Sequence, residues 1–304
     1  MANLELCVVG SVALDSVETV RGKRDEVLGG SASFICTAAS FFVPRTRLVA
    51  IVGDDLPRGH LDYLASRGAD MSGLEVVKGG RTFRWAGRYA PDFITRESLN
   101  TELGVFAGFQ PRLPDSYRSA DLLFLGNIDP VLQLDVLEQI RKPKLVALDT
   151  MNYWISRKPA ELAKVLARVD AVLLNDEEAR QLSGESNLQR AARVIHAMGP
   201  TIVVIKRGEH GALLVHPHGV FAAPAYPIDE VCDPTGAGDT FAGGFMGSLA
   251  CAATIDDDSL RRAMIHGSSL ASYCVEDFSL DRLRVLEQPD VERRFGEFRE
   301  LMRF

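Results

Sequence analysis

The chain has 304 residues, which is long enough to bury a large hydrophobic core, and 46% of its residues are hydrophobic. Its formal charge of −7 leaves no excess of lysine and arginine for a polyanion, which argues against nucleic acid and for a small molecule as the partner. Residues 1–5 have neither a basic leader nor an apolar signal core, and no stretch approaches the roughly 18 uninterrupted apolar residues of a membrane span. These features predict a cytoplasmic protein with no membrane partner.

Short apolar runs alternate with amphipathic segments along most of the chain. The runs that predict buried strands lie at 6–9, 48–52, 122–125, 145–148, 171–174 and 202–205. The periodic segments that predict helices include 58–66, 132–140, 161–168 and 188–198. This alternation is typical of a Rossmann-like α/β fold, in which a mostly parallel sheet carries helices on both faces and binds ligands at the carboxyl ends of its strands.

Two segments, at 12–27 and 76–109, do not fit that alternation. The second is rich in aromatic, threonine and arginine residues, and polar and apolar residues alternate from Thr82 to Tyr89. We interpret both segments as strands of one small sheet inserted into a single domain spanning residues 1–304, because no linker composition marks a boundary.

The sequence Asp-Pro-Thr-Gly-Ala-Gly-Asp-Thr at 233–240 precedes a glycine-rich helical segment. Gly236 and Gly238 flank the small Ala237, so the backbone can turn its N–H groups toward a ligand at the positive end of the following helix. A set of N–H groups turned toward one point favours an anion, whereas Asp239 is suited to accept the proton of a hydroxyl group. The segment is neither a P-loop nor a dinucleotide fingerprint. It predicts phosphoryl transfer, and an ordinary helix cap after a glycine turn is the alternative.

This segment, extended by Phe-Ala-Gly-Gly-Phe to residue 245, resembles the carboxyl-terminal signature of the ribokinase-like (PfkB) family of sugar and nucleoside kinases. Gly-Ser-Val-Ala-Leu-Asp at 10–15 and Leu-Gly-Gly-Ser-Ala at 28–32 are similar to the family's amino-terminal motifs, in the same order and spacing. The resemblance covers nearly the full chain. It implies a ribokinase-like fold with a small β-sheet lid. It also implies ATP- and Mg²⁺-dependent transfer of the γ-phosphoryl group to a hydroxyl of a small sugar, with a nucleoside as the alternative acceptor.

The resemblance also implies the roles of the residues in the 233–240 segment. Asp239 orients the acceptor hydroxyl and takes its proton, and the backbone amides of Gly236, Ala237, Gly238 and Asp239 cradle the phosphate. These roles fit phosphoryl transfer, in which a protein mainly positions the reactants and stabilises charge on the moving group.

A second set of residues is implied to bind the acceptor. Asp15 accepts hydrogen bonds from substrate hydroxyls, Gly29 and Gly30 allow close approach of the substrate, and Asn127 lies in a loop after a predicted strand; plain turns are the alternative at the first three positions. Phe34 stands where the family usually has an asparagine that contacts a sugar hydroxyl, which weakens an assignment to ribose. Phe34 is either a core residue or one wall of the substrate site.

Asn175 and Glu178 form an Asn-x-x-Glu motif where a predicted strand passes into a helix. By itself the motif is typical of a helix cap with an acidic first turn. The resemblance places it near phosphate and magnesium, and it implies that Glu178 contacts Mg²⁺ through water, since Mg²⁺ tends to retain its waters.

Further nucleotide contacts are implied in two places. Lys206, Gly208 and Gly211 belong to a segment that resembles the family's Gly-x-x-Gly nucleotide loop, although a hairpin turn is equally compatible with its glycines. His266 and Gly267 lie on a predicted helix that flanks the adenine in this family, and a surface histidine is the alternative. No spacing of His and Cys residues suggests zinc.

The chain departs from the family pattern at a turn near the family's monovalent-cation site, where Glu-Asp-Phe at 276–278 replaces a glycine-bearing turn. This argues against potassium activation, and only Asp233 and Thr235 are candidate ligands. A non-catalytic sensor of sugar or nucleotide is a less favoured function, because a sensor has no need of Asp239. A small sheet with exposed edges also predicts a homodimer joined through the lids.

Overall fold

The structure, a computed structural model, describes residues 4–303. These residues form thirteen strands: β1 (Leu6–Val9), β2 (Ala13–Thr19), β3 (Gly22–Gly29), β4 (Thr46–Gly53), β5 (Ala69–Val77), β6 (Phe83–Tyr89), β7 (Arg96–Glu102), β8 (Leu122–Leu125), β9 (Leu145–Asp149), β10 (Ala171–Asn175), β11 (Ile202–Lys206), β12 (Ala212–His216) and β13 (Gly219–Ala223).

Nine of the thirteen described strands form the main sheet, in the order β13-β12-β11-β10-β9-β8-β1-β4-β5. The neighbours from β11 to β5 run parallel, and only β12 and β13 at one edge pair in the antiparallel sense. The central strands are continuous runs of Val, Leu, Ile and Phe because helices cover them on both faces. The predicted mostly parallel α/β sheet is therefore confirmed.

The connecting helices are α1 (Ser31–Ala39), α2 (Arg58–Ser66), α3 (Pro130–Leu137), α4 (Asn152–Arg157), α5 (Pro159–Leu166), α6 (Asp176–Ser183), α7 (Leu188–Ala197), α8 (Ala237–Ala250), α9 (Asp257–Cys274), α10 (Asp281–Val285) and α11 (Gln288–Leu301). Short 3₁₀ helices lie at Gly104–Gly108 and Gly208–His210. None of the helices within residues 4–303 combines the length and the apolar composition needed to cross a membrane.

The alternation of side chains along each strand divides the core into two layers. In β1, Leu6 and Val8 join the layer that includes α1, α8 and α9, whereas Cys7 and Val9 join the layer that includes α3, α5 and α7. Both layers are almost completely shielded from water, which is the main favourable contribution to folding.

Helix α8 packs unusually close to its neighbours because glycines replace side chains along it. A Cβ atom on Gly243 would lie 2.5 Å from the carbonyl oxygen of Ile35 in α1, and one on Gly244 would lie 3.0 Å from the Cα atom of Gly267 in α9. The glycine run in the sequence is therefore a packing requirement, and it fixes the amino terminus of α8 at one edge of the main sheet.

The remaining four described strands form a separate small sheet in the order β3-β2-β6-β7, as expected from the two segments that break the alternation. It is a mixed sheet, because β2 and β6 run parallel while the other pairs are antiparallel. The expected range of 76–109 is too wide: residues 76–77 belong to β5 of the main sheet, and residues 104–108 form the 3₁₀ helix beyond β7.

Candidate active site

Three strands of the main sheet end in polar residues at the same edge: Asp149 ends β9, Asn175 ends β10 and Lys206 ends β11. Because these strands are parallel neighbours, their carboxyl ends lie side by side. Electrostatic interactions with Asp149 and Lys206 also reach Asp239, in the first turn of α8. The fold therefore gathers one lysine and several carboxylates around the start of α8.

The amino terminus of α8 is built for an anion. Its N-cap, Gly236, has the left-handed backbone conformation with φ of 76°, and no side chain caps the helix. Within residues 4–303, the amides of Gly236, Gly238 and Asp239 have no hydrogen-bond acceptor, whereas the amide of Ala237 donates to the carbonyl oxygen of Pro234 at 3.2 Å. The expected cradle of four amides therefore has three available donors, at the positive end of the helix dipole.

Asp239 lies partly buried at this helix start and close to other acids. Burial, followed by repulsion from Asp149, raises the pKa of its carboxyl to about 7, and Lys206 opposes that rise. A carboxylate with a pKa near neutrality accepts a proton far more readily than an ordinary aspartate, which suits proton transfer from an alcohol.

Lys206 forms the positive centre of the cluster. Its ammonium lies 3.0 Å from Oδ2 of Asp149, and both side chains are largely buried. Burial alone would lower the pKa of Lys206, but the carboxylates of Asp149, Glu178 and Asp239 outweigh it and raise the pKa. A Cβ atom on Gly238 would lie 3.1 Å from Nζ, so this glycine leaves room for the ammonium beside the start of α8.

The Asn-x-x-Glu motif forms a reciprocal cap at the start of α6. Oδ1 of Asn175 accepts from the Glu178 amide at 2.7 Å, and Oε2 of Glu178 accepts from the Asn175 amide at 2.8 Å. Burial, followed by repulsion from Asp149, raises the pKa of Glu178 to about 7. The capping alternative is thus realised, and within the described residues the second oxygen, Oε1, has no hydrogen-bond partner.

Asp15 lies in β2, at the position where its pairing with β3 shifts register. Burial raises the pKa of its carboxyl to about 7, the nearby Gly30 amide and Arg96 charge oppose the rise, and the charge of Asp233 adds to it. Gly29 must be glycine here, since a Cβ atom would lie 2.0 Å from Oδ2 of Asp15. The structure therefore brings the predicted acceptor residues Asp15, Gly29 and Gly30 together.

Phe34 is 1% exposed in α1, and its ring packs directly against Gly236: a Cβ atom on that glycine would lie 2.3 Å from the ring. Phe34 is thus a core residue that supports the start of α8. Asn127, after β8, accepts a hydrogen bond from Nε1 of Trp154 at 3.0 Å and donates to Sδ of Met151 at 3.2 Å. Its amide is already held by its neighbours.

The predicted nucleotide residues are divided between two places. Gly208 and Gly211 have φ of 53° and 80° in the turn from β11 to β12, which begins at Lys206 and so adjoins the cluster. His266 lies apart from it: Ser248, two residues before the end of α8, lies 2.7 Å from its Nδ1, and its ring stacks on Phe295. Burial lowers the pKa of His266 to about 4, so this histidine is neutral. Gly267 packs against Phe241 of α8.

Asp233 is a structural anchor of the loop that leads into α8. Its Oδ1 accepts from the Thr235 amide at 2.8 Å and its Oδ2 accepts from the Ser279 amide at 3.1 Å. In the same region Glu276 pairs with Arg294 at 2.7 Å. These contacts tie the loop before α8 to the segment that follows α9. The argument against potassium activation remains a prediction from the sequence.

The small sheet places Trp85 next to Asp15. From the sequence, Trp85 and the other aromatic residues of the segment (Phe83, Tyr89 and Phe93) are either a stacking surface for a base or the core of the small sheet, whereas Arg96 is a residue that sequence reasoning missed. Asp15 and Trp85 are paired in the parallel strands β2 and β6, so their side chains share one face. The Trp85 ring lies over Gly87, and the Arg96 guanidinium lies 5.4 Å from the ring centroid. The only sequence signal for this arrangement is the aromatic and arginine content of the segment, which does not specify the pairing.

The raised pKa of Asp239 predicts a pH dependence of stability. Folding raises that pKa from 3.8 to about 7, so the native state binds the proton more tightly and the contribution of Asp239 to stability falls as the pH rises from about 4 to about 7. Asp239→Asn cannot ionise. Its free energy of unfolding, relative to that of the parent protein, should increase across that range by up to about 4 kcal/mol, because one pKa unit corresponds to about 1.4 kcal/mol.

Urea unfolding of both proteins at several pH values measures this difference. Asp258→Asn, which removes an exposed aspartate from α9, controls for the loss of a surface charge. A difference that is constant with pH would show that Asp239 does not resist ionisation in the folded protein.

Residues 3–282 match the sequence model of the pfkB family of carbohydrate kinases. The chain is 32% identical over 248 residues to the cytidine kinase of Thermococcus kodakarensis, which covers 80% of this chain and 87% of that enzyme. It is 26% identical over 293 residues to the nucleoside kinase of Methanothermobacter thermautotrophicus, with 90% of each chain covered.

The fold is similar to the solved structure of a nucleoside kinase of Burkholderia thailandensis in complex with inosine, with a TM-score of 0.79, 18% identity, and coverage of 96% of this chain and 98% of that one. At this identity the similarity shows the fold alone, and it confirms the ribokinase-like architecture. The chain belongs to the pfkB family of carbohydrate kinases, and it is, as its sequence predicts, a phosphotransferase that uses ATP and an alcohol acceptor.

Proposed function

We propose that this kinase phosphorylates the primary hydroxyl of a ribonucleoside, with Mg²⁺ bound to ATP. The observation that carries the proposal is the pairing of Asp15 with Trp85 on one face of the small sheet. A carboxylate can accept hydrogen bonds from the two adjacent ribose hydroxyls, while an aromatic ring beside it offers an apolar surface for the base. Two of the relatives in sequence are cytidine and nucleoside kinases, which supports this acceptor over a free sugar.

In this proposal Asp239 is the general base. It orients the acceptor hydroxyl and takes its proton as the new P–O bond forms, which its raised pKa favours. The free amides of Gly236, Gly238 and Asp239 bind the oxygens of the transferring phosphoryl group. Lys206 lies beside Gly238 and offers these oxygens a positive charge.

The acidic cluster fits a divalent cation. Asp149 repels both Glu178 and Asp239, and all three acids interact with the single ammonium of Lys206, so the charges are unbalanced when all three acids are ionised. Glu178 keeps Oε1 available for a water bound to Mg²⁺, and Asn175 holds the carboxylate in place. When bound with the nucleotide, Mg²⁺ would supply positive charge that offsets the charge of the phosphate groups. The predicted nucleotide contacts remain Lys206, Gly208, Gly211, His266 and Gly267. Activation by a monovalent cation is not expected.

Asp239→Asn should lower kcat by about a hundredfold or more, because the alcohol loses its proton acceptor while the amide cradle remains. ATP affinity, measured by calorimetry, should change little. Lys206→Met should also lower kcat, since it removes a charge from the transition state but leaves the base. Turnover of Asp239→Asn near that of the parent enzyme would exclude Asp239 as the base.

The acceptor is tested with a panel of pentoses, hexoses, ribonucleosides and 2′-deoxyribonucleosides, incubated with ATP and Mg²⁺ while ADP is measured. Ribonucleosides should give the highest kcat/KM. Asp15→Asn should raise the KM for the best acceptor at least tenfold while the KM for ATP changes little, because Asp15 binds only the acceptor. A free sugar as the best substrate would overturn the nucleoside assignment, and a change confined to the KM for ATP would show that Asp15 is misplaced.

We also propose a homodimer joined through the small sheets. In the described residues β7 pairs only with β6, so one edge of the small sheet is open, and β7 is exposed along nearly its whole length. Apolar side chains lie along this edge, with Leu99 46% and Ile94 75% exposed. Pairing with a second copy would cover both the edge and these side chains.

Light scattering at micromolar concentration should show a dimer, and Leu99→Lys should convert it to a monomer through charge repulsion at the interface. Val285→Lys, which alters an exposed apolar residue of α10, is the matched control. A parent protein that is monomeric at this concentration would rule the dimer out.

A further inference from the structure

A histidine and carboxylate cluster lies at the opposite end of the β11–β12 pair from Lys206. It contains His216, the last residue of β12, His218, in the turn before β13, and Asp257, the first residue of α9. Lys206 pairs with Ala212 at the start of β12, and His216 follows Ala212 by four residues. Because a strand rises about 3.3 Å per residue, His216 lies about 13 Å along β12 from that pair. The cluster is therefore separate from the catalytic site.

The three side chains converge on one point. Nδ1 of His216 lies 3.4 Å from Oδ1 of Asp257, and Nδ1 of His218 lies 3.0 Å from the same oxygen. One ligand atom from each residue falls within 4.8 Å of the other two. Tetrahedral zinc with bonds of about 2.0–2.2 Å holds its ligand atoms about 3.3 Å apart. The two distances to Asp257 already match this value, and rotation of the exposed His218 side chain can bring the two imidazole nitrogens closer together.

The burial of the cluster is also suited to a metal ion. The His216 side chain is 3% exposed, which fixes its ring, whereas Asp257 is 37% and His218 is 74% exposed. Within the described residues, Nε2 of His216 is buried without a hydrogen-bond partner, so Nδ1 is the atom through which this ring makes polar contacts. The site is closed by protein on one side and open to water on the other, which leaves coordination positions for solvent.

We propose that His216, His218 and Asp257 bind a divalent transition-metal ion of the zinc class. Two imidazoles and one carboxylate suit Zn²⁺ and disfavour Mg²⁺, which prefers oxygen ligands. The ion would link the β12–β13 hairpin, at the edge of the main sheet, to the first turn of α9. The bound ion would stabilise that edge of the main sheet, and no residue of the phosphoryl-transfer site would bind it.

The competing explanation is that both imidazoles donate hydrogen bonds to one carboxylate oxygen without any metal. Titration of EDTA-treated, dialysed protein with Zn²⁺ separates the two. The parent should bind one Zn²⁺ at this site, and its thermal midpoint should rise with Zn²⁺ but not with an equal concentration of Mg²⁺. His218→Ala should weaken Zn²⁺ binding at least tenfold and abolish the rise in the midpoint, and the exposed position of His218 argues against misfolding as the cause.

Asp257→Asn should have the same effect, while Asp258→Asn, which changes the adjacent exposed acid, should bind Zn²⁺ as the parent does. The cysteines and the catalytic acids are unchanged in all these variants, so zinc bound by those groups would survive the substitutions. Retention of parental Zn²⁺ affinity and midpoint shift in His218→Ala and Asp257→Asn would overturn the proposal. A parent protein that binds no Zn²⁺ below millimolar concentration would also overturn it.

Discussion

At the candidate active site, acidic side chains outnumber basic ones and are largely shielded from water. Asp149, Glu178 and Asp239 interact around a single ammonium, that of Lys206, and Asp15 lies near enough to Asp239 to affect its pKa. Holding a carboxyl at a pKa of about 7 instead of 3.8, as at Asp15, corresponds to about 4 kcal/mol that the rest of the fold must offset. The binding of a magnesium nucleotide would add positive charge where it is lacking, so substrate binding and relief of this repulsion are coupled.

Helix α8 allows that charge to be concentrated. Its glycines bring it close to α1 and α9, which fixes its amino terminus without a capping side chain. The free amides at that end would favour an anion but cannot neutralise several buried acids by themselves. The same glycines therefore have two effects. They let the core helices pack closely, and this packing places the amide cradle beside Lys206.

Much of this arrangement was predictable from the sequence, because apolar runs and helical periodicity depend on local neighbours. The buried strands of the main sheet and the helix after residue 236 follow from such patterns. Contacts between residues that are far apart in the sequence do not follow from local patterns. Lys206 and Asp149 are 57 residues apart, and their ion pair depends on two strands that are separated by β10 in the sheet. The parallel pairing of β2 with β6 is likewise a product of the tertiary fold.

At position 34 the chain departs from the family pattern, and Phe34 changes which residues could bind the acceptor. Its ring is buried and supports Gly236, so it cannot replace the hydrogen bond that an asparagine at this position would offer to a hydroxyl. In the proposed acceptor site the polar contacts would then come from two residues of the small sheet, Asp15 and Arg96, of which Arg96 lies close enough to affect the pKa of Asp15. Arg96 also contacts the Trp85 ring, which places a positive charge and an aromatic surface on the same sheet. Under the proposed function, the absence of a polar side chain at position 34 of α1 would thus leave the selection of the acceptor to residues of the small sheet.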